Sequence, residues 1–228
     1  MKILIIYGTG HVGNTHKAVS IFKEELLQHE KIEFNEITLP NDLSDFCLGC
    51  HNCIKKSEDL CRSSKSVQMI IEKINDADAI IVSSPVYVLG MTAALKNMFD
   101  HLGYSWLVHR PNVNFFGKKT MVITTAAGGG TKKCIKDIQT NLKWLGFKVK
   151  NSLGINIAAW SWNKMSSRDK KEEKVKKSAK AFYKQIVKNT LPRQTLFSTF
   201  LLKVLSSMVK NYPDDNIDKK YWKLNNWI

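Results

Sequence analysis

Four cysteines, Cys47, Cys50, Cys53 and Cys61, fall within fifteen residues in the pattern C-x2-C-x2-C-x7-C. Thiolates this closely spaced can converge on one centre, as iron–sulfur clusters require. Zinc also accepts four thiolates, although its structural sites usually pair two separated C-x2-C units. Reduced structural or redox thiols are the third reading, and the residues leave all three open. Cys134 falls on a helical pattern and reads as inert core.

A second constellation follows the apolar run Lys2–Tyr7: Gly8-Thr9-Gly10-His11-Val12-Gly13-Asn14-Thr15. Its glycines permit a tight turn and close backbone approach. Thr9, Asn14 and Thr15 add side-chain donors, and the helix that follows offers free N–H groups and the positive end of its dipole to an anion. The loop therefore reads as a phosphate cradle. Gly8-x-Gly10-x-x-Gly13 matches the dinucleotide fingerprint, with Glu36 placed to end the second strand. The hydroxyl and amide side chains suit a monophosphate ester better, and a plain strand-to-helix glycine turn is the bland alternative.

Two more loops have binding character. Ser83-Ser84-Pro85-Val86-Tyr87-Val88-Leu89-Gly90-Met91 is apolar, bounded by proline and carries an aromatic, which suits stacking on a flat heterocycle. Thr124-Thr125-Ala126-Ala127-Gly128-Gly129-Gly130-Thr131 is small enough for close ligand approach.

These loops need a scaffold that brings them to one place. Lys2–Tyr7, Ala79–Ser83 and Lys119–Thr124 read as short buried parallel strands, and Lys31–Thr38 and Phe147–Ile157 as two more. Helical patterns alternate with them at Thr15–Gln28, Val67–Ile74, Ala93–Leu102 and Lys132–Leu145, the last stopped by Gly146. That alternation specifies an α/β fold, a doubly wound five-stranded parallel sheet with helices on both faces. Right-handed crossovers put every strand-to-helix loop along one edge of the sheet.

In order and spacing the three loops resemble the NAD(P)H-dependent FMN reductases of the flavodoxin-like oxidoreductases, over about residues 1–160. The resemblance implies an FMN-dependent NAD(P)H oxidoreductase acting on a small acceptor such as a quinone, nitro compound or flavin. It assigns the FMN phosphate to Gly8, Thr9, His11, Asn14 and Thr15, with His11 standing where many members carry Arg. It lays the isoalloxazine along Pro85, Val86, Tyr87, Val88 and Gly90 and closes Thr125, Ala126, Ala127 and Gly128 on it. The segment Gly90–Asn97 with Phe99-Asp100 is similar to that family's next helix. The cysteine motif resembles that of iron–sulfur flavoproteins, implying a [4Fe–4S] cluster on Cys47, Cys50, Cys53 and Cys61, and also the thiol loop of cluster-free relatives. Arg62-Ser63-Ser64-Lys65 replaces the acidic pair usual after the last cysteine.

Composition sets the outer bounds. The 228 residues are 43% hydrophobic and 24% charged, ordinary for a globular protein. No apolar run approaches the ~20 residues that span a bilayer, and the N-terminus lacks a signal-peptide pattern, so the expected location is the cytoplasm. Of the net +15, residues 161–228 hold 16 Lys/Arg against six Asp/Glu. They form a basic helical C-terminal extension of the 1–160 FMN-binding domain, with one helix at Ser167–Lys188 and another from Pro192 to about Lys210. The broad apolar face of residues 196–209 is the expected contact of a homo-oligomer. A membrane surface is a lesser alternative, and nucleic acid is not expected. Two other functions stay in view: an iron–sulfur flavoprotein carrying electrons to ferredoxin-like partners, and a non-enzymatic binding protein using the basic helices.

Overall fold

The structure, a computed structural model, describes residues 1–159, 161–165, 167–188 and 194–228. Pro192, expected in the first turn of a helix, lies outside these residues. Strands β1 (Lys2–Tyr7), β2 (Glu33–Thr38), β3 (Ala79–Pro85), β4 (Lys119–Ala126) and β5 (Lys148–Asn156) form one sheet. Every pairing is parallel and the order is β2-β1-β3-β4-β5.

The three inner strands β1, β3 and β4 are buried nearly end to end because both faces are covered. Leu4, Ile6, Ile80, Val82 and Val122 face one way, packing against α3 (Ser64–Asp76), α4 (Ala93–His101) and α5 (Thr131–Trp144). Ile3, Ile5, Ala79, Ile81, Met121 and Ile123 face the other, against α1 (Asn14–Leu27) and α6 (Arg168–Ile186). The alternation follows from the two-residue period of a strand. Each fully buried Phe, Leu or Ile contributes about 1.5–3 kcal/mol, so Phe22, Leu26 and Phe182 alone bind α1 and α6 firmly to the sheet. Helix α6 buries Val175, Ala179 and Phe182, with Ile186 partly buried beside them.

A short helix α2 (Asn52–Lys55) lies in the long connection after β2. Beyond α6, α7 (Leu196–Lys210) starts at Thr195, whose hydroxyl accepts from Ser198 N at 3.1 Å. Helix α8 (Ile217–Leu224) starts at Asn216, whose side chain accepts from the N–H groups of Asp218 and Lys219. A separate apolar cluster of Leu107, Phe116, Leu202, Val209 and Trp222 joins α7 and α8 to the domain. Among the described residues no helix is long and apolar enough to cross a membrane.

The strand order positions the site. From β1 the chain turns to β2 on one side, then crosses to β3 on the other. The loops after β1 and β3 therefore diverge, leaving a crevice outside the carboxyl ends of these strands.

Candidate functional site

The crevice is a cleft of about 220 Å³. The first loop contributes Thr9, His11, Gly13, Asn14 and Thr15; the second Pro85, Val86 and Tyr87; the third Thr125, Ala126 and Ala127. Ten of the fourteen residues assigned to the cofactor thus line one cavity. Gly8, Val88, Gly90 and Gly128 lie outside its lining. Ile157 and Ala159 complete the wall from the end of β5. Ile157 N and Ala158 N donate to Ala126 O and Ala127 O, both at 2.8 Å, so this fourth loop is stitched to the third. Sequence reading missed it because Ile155-Asn156-Ile157 looks like one more turn of strand alternation.

The floor is tightly built. Gly8 N donates to Ser83 O at 2.7 Å, and Thr92 Oγ1 donates to Gly8 O. Thr92 also caps α4, accepting from Leu95 N at 3.2 Å. Thr15 and Thr125 hydroxyls bond each other at 2.6 Å, tying the first loop to the third. At the rim, Tyr87 and Gly90 exchange backbone hydrogen bonds of 3.0 and 3.1 Å around Val88 and Leu89. Both tip residues have positive φ, +47° and +63°, uncommon for a β-branched residue, and Val88 is wholly exposed.

Helix α1 begins at Gly13 with neither a side-chain cap nor an acidic residue in its first turn. Its N-terminal dipole opens toward a cleft lined by threonines, a histidine and apolar groups, with no carboxylate in the lining. That chemistry fits an anionic phosphate at one end and an uncharged flat ring at the other.

At the same edge, a cavity of about 260 Å³ is lined by Cys47, Cys50, Cys53 and Cys61 with Phe46, Leu48, His51, Asn52, Leu60, Arg62 and His101. All four predicted ligands share it. Cys47 N donates to Asn97 Oδ1 at 2.9 Å, and Asn97 Nδ2 donates to Asp45 O at 2.9 Å, hanging the loop on α4. His101 Nε2 faces Asp45 O at 3.0 Å, and a carbonyl only accepts. In the neutral ring this leaves Nδ1 bare, 3.6 Å from Cys61 Sγ. Burial, and then the neighbouring Cys61, Cys47 and Cys50, push the Cys53 thiol above its ordinary pKa. Among the described residues no three His, Cys, Asp or Glu converge tightly enough to hold a single metal ion. Cys134 is fully buried on α5, as expected, and burial pushes its thiol up to about 11.

Strand order and cleft define a flavodoxin-like α/β protein of the kind that binds a mononucleotide at the β1/β3 crevice. Residues 1–160 match the model of the NADPH-dependent FMN reductases. The chain belongs to this family of FMN-dependent NAD(P)H oxidoreductases.

An iron–sulfur flavoprotein of Methanocaldococcus jannaschii is 28% identical over 174 residues, covering 72% of this chain and 83% of that protein. One from Archaeoglobus fulgidus is 30% identical over 132 residues, 57% of this chain and 56% of the relative. In the second case the match spans little more than half the relative's length. Among solved structures, an apo NADH:FMN oxidoreductase superposes with a TM-score of 0.59 at 15% identity, covering 85% of this chain and 94% of that one. An FMN-dependent NADH-azoreductase from Bacillus anthracis, in complex with FMN, gives 0.58 at 16%, covering 82% and 100%. At these identities the superpositions speak for the fold.

Proposed function

We propose that this protein transfers electrons from a reduced nicotinamide, through FMN, to a small acceptor such as a quinone, nitro compound or flavin. The observation that carries this is that all three predicted loops open into one cleft, whose lining holds no carboxylate. The assigned division is that Gly8, Thr9, His11, Asn14 and Thr15 with the N-terminus of α1 hold the phosphate. Pro85, Val86, Tyr87, Val88 and Gly90 lie along one side of the ring, and Thr125–Gly128 closes the other. FMN, when bound, supplies the hydride-accepting chemistry. The chain's own work is to fix the phosphate, orient the ring and shield it with Val86, Ile157 and Ala159. No protein acid or base is required. The exposed apolar stripe of Leu196, Phe200, Val204 and Met208 on α7 is the proposed seat of a second copy of the chain.

A second reading concerns the cysteine pocket. Cys47, Cys50, Cys53 and Cys61 would hold a [4Fe–4S] cluster, making the protein an electron carrier. Four thiols around one cavity favour it, because a cubane spreads its ligands wider than a lone ion does.

An absorbance spectrum of anaerobically purified protein, with iron and acid-labile sulfide assayed on the same sample, tests both. Flavin bands near about 375 and 450 nm are expected. About four irons per chain would establish the second reading, whereas flavin without iron leaves a reductase with a thiol loop. A colourless protein that also refuses added FMN overturns the proposal.

A further inference from the structure

Outside the cleft, the densest set of buried charge in the described residues joins the C-terminal helix α8 to the cysteine loop. Arg110 is 8% exposed and Asp218 4% exposed. Arg110 Nη1 donates to Asp218 Oδ1, and Nη2 donates to the carbonyl of Cys53. The same guanidinium reaches Ile54 O and Glu58 Oε2, each at 3.4 Å. Cys53 and Ile54 belong to the four-residue helix α2, whose terminal carbonyls need donors from outside.

Asp218 is in turn held from both sides. His109 Nδ1 donates to its second oxygen at 2.8 Å. Trp222 Nε1 donates to His109 O at 2.6 Å, and Tyr221 OH donates to Pro111 O at 2.7 Å. Trp222 is fully buried, so α8 is anchored independently of the charge pair.

We infer that Asp218, far outside the stretch matched by the family model, is a positioning residue for the cysteine pocket, acting through Arg110. Without Asp218 the buried guanidinium keeps only the half-exposed Glu58, 3.4 Å away, and a charge so poorly compensated moves out toward water. Its departure removes the donors from the Cys53 and Ile54 carbonyls and frees the middle of the loop that carries the thiols. The C-terminal segment thus sets how the four cysteines are presented. This deepens the second reading and rests on the cysteine pocket being a site. Thiols held by iron are shielded from the reagent, so labelling is read on protein of assayed iron content, and pocket geometry and cluster occupancy can fail separately.

The test is native-state labelling of the full chain with an aromatic disulfide reagent, the modified cysteines being resolved by peptide mass spectrometry. Asp218→Asn is expected to speed labelling of Cys53 by about tenfold or more, with Cys134 still protected. Asp218→Glu is expected to restore most of the protection. Asp214→Asn, which breaks only the pairs of the exposed Asp214 with Lys219 and Lys223, should label as wild type does. A wild-type rate at Cys53 in Asp218→Asn overturns the inference, since a merely structural tether would lower the melting point without touching that rate. If Asp218→Asn exposes Cys134, the fold has opened and Arg110→Lys decides. Lysine keeps the charge beside Asp218 but lacks the second arm to Cys53 O. Faster Cys53 labelling with Cys134 protected upholds the inference, and an unchanged rate overturns it.

Discussion

Gly8 has no side chain because the floor of the cleft has no room for one. A Cβ there would stand 2.8 Å from the backbone oxygen of Ser83, well inside van der Waals contact, and 3.2 Å from Thr92 Oγ1. The neighbour is backbone of β3, which cannot move without breaking the Gly8 N to Ser83 O bond. Gly8→Ala is therefore expected to destabilise the fold by about 1–3 kcal/mol and to weaken FMN binding at least tenfold, as read from urea unfolding and fluorescence titration. Gly13 differs, since the atom its Cβ would meet is the mobile ring of His11. At this scale the sequence was legible where loop chemistry is local. Glycines, hydroxyls and a proline announce a ligand loop by type. Ile157 and Ala159 were not legible, because nothing in their types separates the wall of a cleft from the end of a strand. Asp218 was illegible for another reason: its partner Arg110 lies 108 residues away.

Helix α4 shows how one element serves two sites. Its cap, Thr92, bonds the loop after β1 at Gly8 O, while Asn97 and His101 further along carry the cysteine loop. Thr92→Ala removes the cap and leaves a buried carbonyl without its donor. A loss of about 1–2 kcal/mol in urea unfolding is expected, with weaker FMN affinity in the same titration; an unchanged affinity would mean that the cap does not tension the loop. The main elements could be read from periodicity because each buries one face: α5 was expected from Lys132 and begins at Thr131. Helix α3 begins at Ser64, three residues before Val67, because its first turn carries no inward apolar residue until then. Helix α8 escaped notice because it has eight residues and packs through Trp222, too short a stretch to show a period.

Across the whole molecule, stability includes one group set against its environment. Lys118 is buried, and its Nζ donates to Ile74 O and Asn75 O at the end of α3. Burial pulls its pKa down from 10.5 to about 8, Asp78 and Asp76 only partly opposing. Between those two values the unfolded chain holds the proton and the folded chain does not, so stability rises with pH through that window. The penalty is present in full below about pH 8 and is relieved by about 10.5. Relative to Lys118→Met, wild-type protein is expected to gain up to about 3 kcal/mol across this range in urea unfolding; a flat difference would show that Lys118 keeps its proton. The parallel sheet carries a further consequence, in time. β1 is made first, yet its inner neighbour β3 begins at Ala79. At about 5–20 residues per second, the ribosome leaves the apolar run of residues 3–6 for several seconds without the second of the two strands that will flank it. No local hairpin can cover that run in the interval, since every pairing here needs a crossover. The nascent chain therefore carries, for seconds, an exposed apolar strand that the finished, well-covered sheet conceals.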